Sequence, residues 1–239
     1  MPTPATAVVA VDGPSGSGKS SVSRGVARAL GLRYLDTGAM YRAITWAVLR
    51  DGVDTRDADA VAATARSVRL IWSTHPDESV IEVDGTDVSR AIREDAVTRS
   101  VSAVAAEPRT RAVLVELQRR AVAEARAAGQ GIVVEGRDIG SVVLPDADLK
   151  VWLVADPAVR AARRASEDAA AGRIADPVEA TPVVHVVAEE LARRDAFDAG
   201  RAASPTTQAE DAVVVDATHL GLAEVIDTVV ALVRNRTGS

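Results

Sequence analysis

Short apolar runs recur along the chain at Ala7 to Val11, Gly131 to Val134, Leu149 to Val154 and Ala212 to Val215. Each is the length of a strand buried on both faces, as strands of a parallel sheet are. Tyr34 to Asp36 can add a fifth. Between them lie stretches with helical character, at Lys19 to Leu30, Thr37 to Arg50, Pro108 to Ala128, Pro157 to Ala171 and Leu222 to Val233. Strands that alternate with helices predict an α/β fold, a parallel sheet covered by helices.

Two segments break this rhythm. In the first, Val68 to Trp72 and Ser79 to Val83 read as strands, Asp84-Gly85 as a tight hairpin turn and Thr86 to Val88 as a returning strand, which predicts a small antiparallel insert. The second runs from about Arg160 to Pro205. It is rich in Arg and Ala, contains the breakers Gly172, Pro177 and Pro182, and lacks a strand pattern. It suits either a mobile helical flap or a plain helical hairpin over the sheet. Inserted segments on a rigid scaffold are where substrate chemistry is to be sought.

The run GPSGSGKS, Gly13 to Ser20, joins the first strand to the first helix. Its spacing, G-x-x-x-x-G-K-[ST], aims backbone N–H groups and the positive end of a helix at one point, which suits a polyphosphate. Gly13, Pro14, Ser15, Gly16, Ser17, Gly18 and Ser21 supply or flank that cradle. Lys19 can neutralise the outer phosphates, and the Ser20 hydroxyl can hold Mg²⁺ beside them. Among 28 basic residues only Lys19 and Lys150 are lysines, so this slot keeps lysine in an arginine-rich chain.

A chain of 239 residues suits one medium domain with insertions. Its net charge of −6 argues against general nucleic-acid binding, so an anionic substrate has to be drawn by locally clustered arginines. With no cysteine there is neither a disulfide framework nor a thiol ligand or nucleophile. No apolar run approaches the span of a bilayer, and the first residues do not read as a signal peptide, which leads to the expectation of a cytoplasmic protein with no membrane partner. His75, His185 and His219 show no metal-like spacing.

A phosphate-binding loop serves switches, motors and small kinases alike. No N-K-x-D run for reading guanine is present, and Val134 leads into Glu135-Gly136-Arg137-Asp138 rather than the acidic strand end of a motor. In isolation that loop reads as a surface salt-bridge turn. At the carboxyl end of a central strand it stands where open α/β sheets bind ligands. Asp36-Thr37-Gly38, after the next strand, can cap a helix or hold a second phosphate together with Arg42.

In order and spacing, GPSGSGKS, DTGAMYR (36–42), DGTDVSRAIR (84–93), VSAVAAEPRTR (101–111), EGRDIGSVVLPDA (135–147) and RRDAFDAGRAASP (193–205) resemble the bacterial cytidylate kinases over nearly the whole chain. The resemblance implies a three-layer P-loop kinase. Its core would be 1–66, 106–159 and 206–239, with a nucleoside monophosphate-binding insert at 67–105 and a helical lid at 160–205. It implies phosphoryl transfer from ATP, with Mg²⁺, to CMP or dCMP in a monomer. Thr37, Arg42, Arg137 and Arg201 would hold the acceptor phosphate, Ser102, Arg111 and Asp138 the cytosine, and Arg194 and Asp198 the ribose. Arg160 and Arg164 would contact ATP. Catalysis would fall to Lys19, Arg137, Arg201 and Asp138.

Cytosine presents an amine and two acceptors, which one carboxylate and two donors complement. The family often has Asp where Glu135 stands, and more basic residues than Ala196, Phe197, Ala199 and Gly200. A kinase for another nucleoside monophosphate or for a sugar acid, and an ATP-binding regulator without turnover, are the alternatives.

Overall fold

The computed structural model describes residues 3–170, 181–200 and 206–238. Five strands, β1 (Val8–Asp12), β2 (Arg33–Asp36), β6 (Ile132–Glu135), β7 (Leu149–Val154) and β8 (Val213–Asp216), form a parallel sheet in the order β2-β6-β1-β7-β8. Every residue of β1 is buried, as the central strand of a sheet covered on both faces must be.

Successive side chains on these strands point to opposite faces. Val8, Ala10, Leu35, Ile132 and Val134 pack on one side with α2 (Thr37–Arg50) and α5 (Pro108–Ala127). Val9, Val11, Tyr34, Val133 and Leu153 pack on the other with α1 (Lys19–Leu30) and α8 (Leu222–Thr237). This is the three-layer α/β arrangement that the alternating pattern predicts. Two helices that the hydrophobic pattern did not single out, α3 (Ala58–Ser67) and α4 (Asp95–Ala106), lie on the α2 side, α3 against α2 and α5, and α4 against α2 and the start of α5.

The second sheet is the antiparallel insert: β3 (Leu70–Trp72), β4 (Ile81–Val83) and β5 (Thr86–Asp87). Asp84 and Gly85 form its turn, with φ of +53° and +82°, the left-handed pair that matches strand twist in a two-residue hairpin. Leu70, Ile81 and Val83 face the core, so the insert is seated on α2 by apolar burial. In the region from Arg160 onward, α6 (Pro157–Ala170) packs along α7 (Thr181–Ala199). Gly172, Pro177 and Arg201 lie outside the described residues, and so does the part of the expected lid that contains them. Pro182 falls in the first turn of α7, where a missing N–H costs no helical bond. No described helix is long and apolar enough to cross a membrane.

Candidate active site

The carboxyl ends of β1, β2 and β6 open onto one cleft of about 220 Å³. Another cavity, beside it between α2 and the insert, measures about 30 Å³, which is room for water rather than a nucleotide.

The floor is the turn after β1. Gly13 is essential to its path: its φ is +151°, and a Cβ there would lie 2.1 Å from the carbonyl oxygen of Leu153. Gly18, at φ +91°, is the left-handed residue that starts α1. Lys19 folds back under the loop, and its ammonium donates to the carbonyls of Gly13 (2.8 Å) and Pro14 (2.7 Å). Burial, and then the charge of Arg137, hold its pKa well below the ordinary lysine range.

Asp12, one residue before the loop, is buried. Its carboxylate accepts from the amides of Ile139 (2.8 Å) and Gly140 (2.7 Å) and so ties the Arg137-Asp138 loop to the phosphate-binding loop. Burial pushes Asp12 up to about 6 against those two bonds. After Asp138 the backbone makes a π-type turn, Ile139–Val143, in which the amides of both Val142 and Val143 reach the Asp138 carbonyl.

The lining of the cleft beyond the loop is rich in arginines. Arg42 donates to the carbonyl of Ile92 (3.1 Å) and the hydroxyl of Thr98 (2.8 Å). Burial lowers Arg42 to about 9, followed by the positive charges of Arg194, Arg164 and Arg93. Arg194 is lowered too, by burial first and then by Arg137. Cations that depress one another mark a place suited to an anion. Arg137 bridges to the loop, donating to the Gly13 carbonyl (3.1 Å) and the Ser15 hydroxyl (2.6 Å). Behind Gly136, the Thr37 hydroxyl donates to the carbonyl of Glu135 at 2.7 Å, while the Asp36 carboxylate caps α2 through Ala39 N–H.

Deeper in, Arg111 and Asp138 form a hydrogen-bonded pair with side-chain exposures of 5 and 7%. The Arg111 guanidinium carbon lies 5.4 Å from the centre of the Tyr41 ring. Nε of Arg111 and Nε of Arg194 are buried without a hydrogen-bond partner, two donors left over at the cleft.

Of the residues singled out in the sequence, Ser15, Gly16, Gly18, Lys19, Ser20, Ser21, Thr37, Arg42, Ser102, Arg111, Arg137, Asp138, Arg164, Arg194 and Asp198 all line this cleft. Gly13, Pro14 and Ser17 belong to the loop but do not line the cleft. Arg160 does not line the cleft. It donates to the Ser15 carbonyl (2.9 Å) and pairs with Asp195. Arg201 is outside the described residues.

Three residues were missed. Asp195 accepts from the Ser15 amide at 3.0 Å and pairs with both Arg137 and Arg160, joining α7 to the phosphate-binding loop. Its only signal was the charge alternation around it. Asp12 could have been found as an acid ending an apolar strand just before Gly13. Tyr34, which donates to Glu135, reads in the sequence as an ordinary strand tyrosine.

The set of metal donors is limited. The Ser20 hydroxyl donates to Oε2 of Glu135 at 3.1 Å, and Glu135 is buried at the root of the loop. Burial and then the charge of Asp36 raise the Glu135 pKa, against the Tyr34 and Ser20 bonds and the Lys19 charge. Among the described residues no group of three or more His, Cys, Asp or Glu could hold a metal by itself. One hydroxyl and one carboxylate fit a hard ion that arrives with phosphate oxygens of its own, as Mg²⁺ does with nucleotides.

Comparison with known proteins gives a consistent picture. Residues 9–235 match the family model described as "Cytidylate kinase". The chain is 53% identical over 234 residues to the cytidylate kinase of Mycobacterium avium, covering 98% of this chain and 97% of that one. It is 50% identical over 229 residues to the Streptomyces avermitilis enzyme of that name (96% and 93% covered). With the Rhodococcus opacus enzyme it shares 51% over 233 residues (97% and 96% covered).

Proposed function

The chain belongs to the cytidylate kinase family, and we propose that it transfers the γ-phosphoryl group of ATP to CMP and dCMP, giving CDP and dCDP. The observation that carries this reading is one cleft lined both by a phosphate-binding loop and by the arginines 42, 137, 164 and 194, with the buried Arg111–Asp138 pair at its base.

Each part has a chemical task. The loop amides and Lys19 receive the triphosphate of ATP. Mg²⁺ bound with ATP, within reach of Ser20 and Glu135, would supply charge neutralisation at the phosphates. Arg42 and Arg137, with Thr37 and Arg201, hold the acceptor phosphate. That phosphate is a monoester largely dianionic at neutral pH, so its attacking oxygen needs no general base. What remains is to bring two anions into line and to spread the charge that develops between them, which Lys19 and the arginines do from fixed positions.

Asp138 accepts from the cytosine amine, and Arg111 and Ser102 donate to its acceptors. Uracil would set a carbonyl oxygen against the Asp138 carboxylate, a mismatch that a buried polar site rejects. Arg194 and Asp198 take the ribose. Arg164 faces the cleft toward ATP, and Arg160 acts through the Ser15 carbonyl.

In this reading residues 1–66, 106–159 and 206–239 hold the donor, 67–105 close on the acceptor, and 160–205 form the lid that excludes water from the transfer. We place the protein in the cytoplasm, where both substrates are intracellular metabolites, and take the monomer as its working unit.

The test is ADP release from ATP·Mg²⁺ with CMP, dCMP, UMP, AMP or gluconate as acceptor. CMP and dCMP should drive ADP formation far above the rest. ADP release driven best by another acceptor would reassign the substrate, and release driven by none would leave a nucleotide-binding regulator.

A further inference from the structure

The Glu135 carboxylate is held at both oxygens. Oε2 accepts from Ser20 at 3.1 Å, and Oε1 accepts from the hydroxyl of Tyr34. The sheet register explains the second contact. Tyr34 pairs with Val133 across β2 and β6, both on the α1 face, and Glu135 stands two residues beyond Val133 on that same face. The phenol therefore reaches diagonally along the sheet to the carboxylate. Tyr34 is itself fixed: it is 2% exposed, its amide donates to the Thr74 carbonyl at 2.8 Å, and the Arg24 guanidinium stacks 4.6 Å above its ring.

We propose that Tyr34 is a positioning residue for phosphoryl transfer: its hydroxyl anchors one oxygen of Glu135 so that the other is presented at Ser20, where the metal-bound phosphates of ATP would lie. The need for an anchor comes from the side chain. Glutamate has one more rotatable bond than aspartate, and a carboxylate swinging freely at the root of the loop would be drawn to the Lys19 ammonium. A phenol donor fixes the longer side chain in one arrangement without adding charge. Groups that orient a ligand from behind typically alter metal affinity or activity about 10- to 100-fold when removed.

The inference rests on the kinase reading of the cleft, and the experiment separates the two. Tyr34→Phe keeps the ring, its packing and the Arg24 stacking, and removes only the donor. Steady-state kinetics with CMP are measured for wild type, Tyr34→Phe, Glu135→Ala and the double variant. Isothermal titration of ATP, with Mg²⁺ and with EDTA, is run on the same four proteins. Tyr34→Phe should lower kcat about tenfold and leave the KM for CMP within about twofold. It should reduce the gain in ATP affinity that Mg²⁺ brings while sparing binding in EDTA. In the Glu135→Ala background it should change neither quantity. Equal losses in both backgrounds, or a raised KM for CMP at unchanged kcat, would show that Tyr34 only fills the core. A wild type with no CMP-dependent turnover would overturn the kinase reading itself. The Mg²⁺-dependent ATP affinity does not involve an acceptor and still judges Tyr34 in that case.

Discussion

Replacing Asp138 with asparagine tests the base-recognition chemistry with little change of shape. In the structure its carboxylate is buried against Arg111, whose guanidinium also donates to the carbonyl of Ala105 at 3.3 Å. The amide keeps an oxygen that can accept from Arg111 but loses the charge, and its NH₂ turns a donor toward the cytosine amine where an acceptor is needed. Leaving a buried donor and a buried cation imperfectly matched costs about 2–4 kcal/mol. At about 1.4 kcal/mol per factor of ten, kcat/KM for CMP should fall roughly 30- to 700-fold. Uracil offers O4 where cytosine has its amine, and the new amide can donate to it, so the preference for CMP over UMP should shrink by at least about tenfold.

The assay is coupled ADP release with each acceptor, alongside thermal denaturation to separate loss of fold from loss of recognition. A variant that folds, keeps kcat/KM for CMP within about twofold and keeps its CMP-to-UMP ratio would remove Asp138 from the base site.

Three further outcomes follow from the geometry. Lys19→Met should lower kcat by about 100- to 1,000-fold in a protein that still folds, because a preorganised cation is lost where charge develops; near-normal turnover would count against the loop as the donor site. Gly13→Ala should cost at least about 2 kcal/mol in urea denaturation, since its Cβ would lie 2.1 Å from the Leu153 carbonyl oxygen at a φ of +151°, and a neutral effect would contradict the described loop path. Asp12, raised to about 6 by burial from an unfolded value near 4, takes up its proton in the folded state first, so the stability it contributes is full below about pH 4 and is lost as pH rises through 6. Denaturation midpoints of wild type minus Asp12→Asn should therefore decline between pH 4 and 7, and a difference that stays flat or rises would refute the assignment.

The sequence placed α1 and α2 at their observed limits because those limits carry local chemistry: Gly18 and Gly31 in left-handed conformations around α1, and the Asp36 carboxylate capping α2. Helix α3 was passed over because its buried face is three small side chains, Ala62, Thr64 and Ala65, around a single Val61, too little contrast to mark a stripe. Helix α8 runs on to Thr237 because Arg234 and Arg236 suit a helix C-terminus better than they mark an end to its apolar pattern.

For the cleft, motifs exposed the residues that repeat a known spacing, from Lys19 to Asp198. They could not expose Asp12, Tyr34 or Asp195. Those act through partners more than 100 positions away, as in Asp12 with Gly140, Tyr34 with Glu135 and Asp195 with Ser15, and only the folded sheet brings them together.

The most direct test of two substrates meeting in this cleft is a crystal structure of the protein with CMP and a non-hydrolysable ATP analogue bound together. Cytosine should lie against Asp138 and Arg111, the CMP phosphate at Arg42 and Arg137, and the γ-phosphate of the analogue over Lys19, pointing at that phosphate. CMP bound outside the cleft, or with its phosphate turned away from the loop, would contradict it.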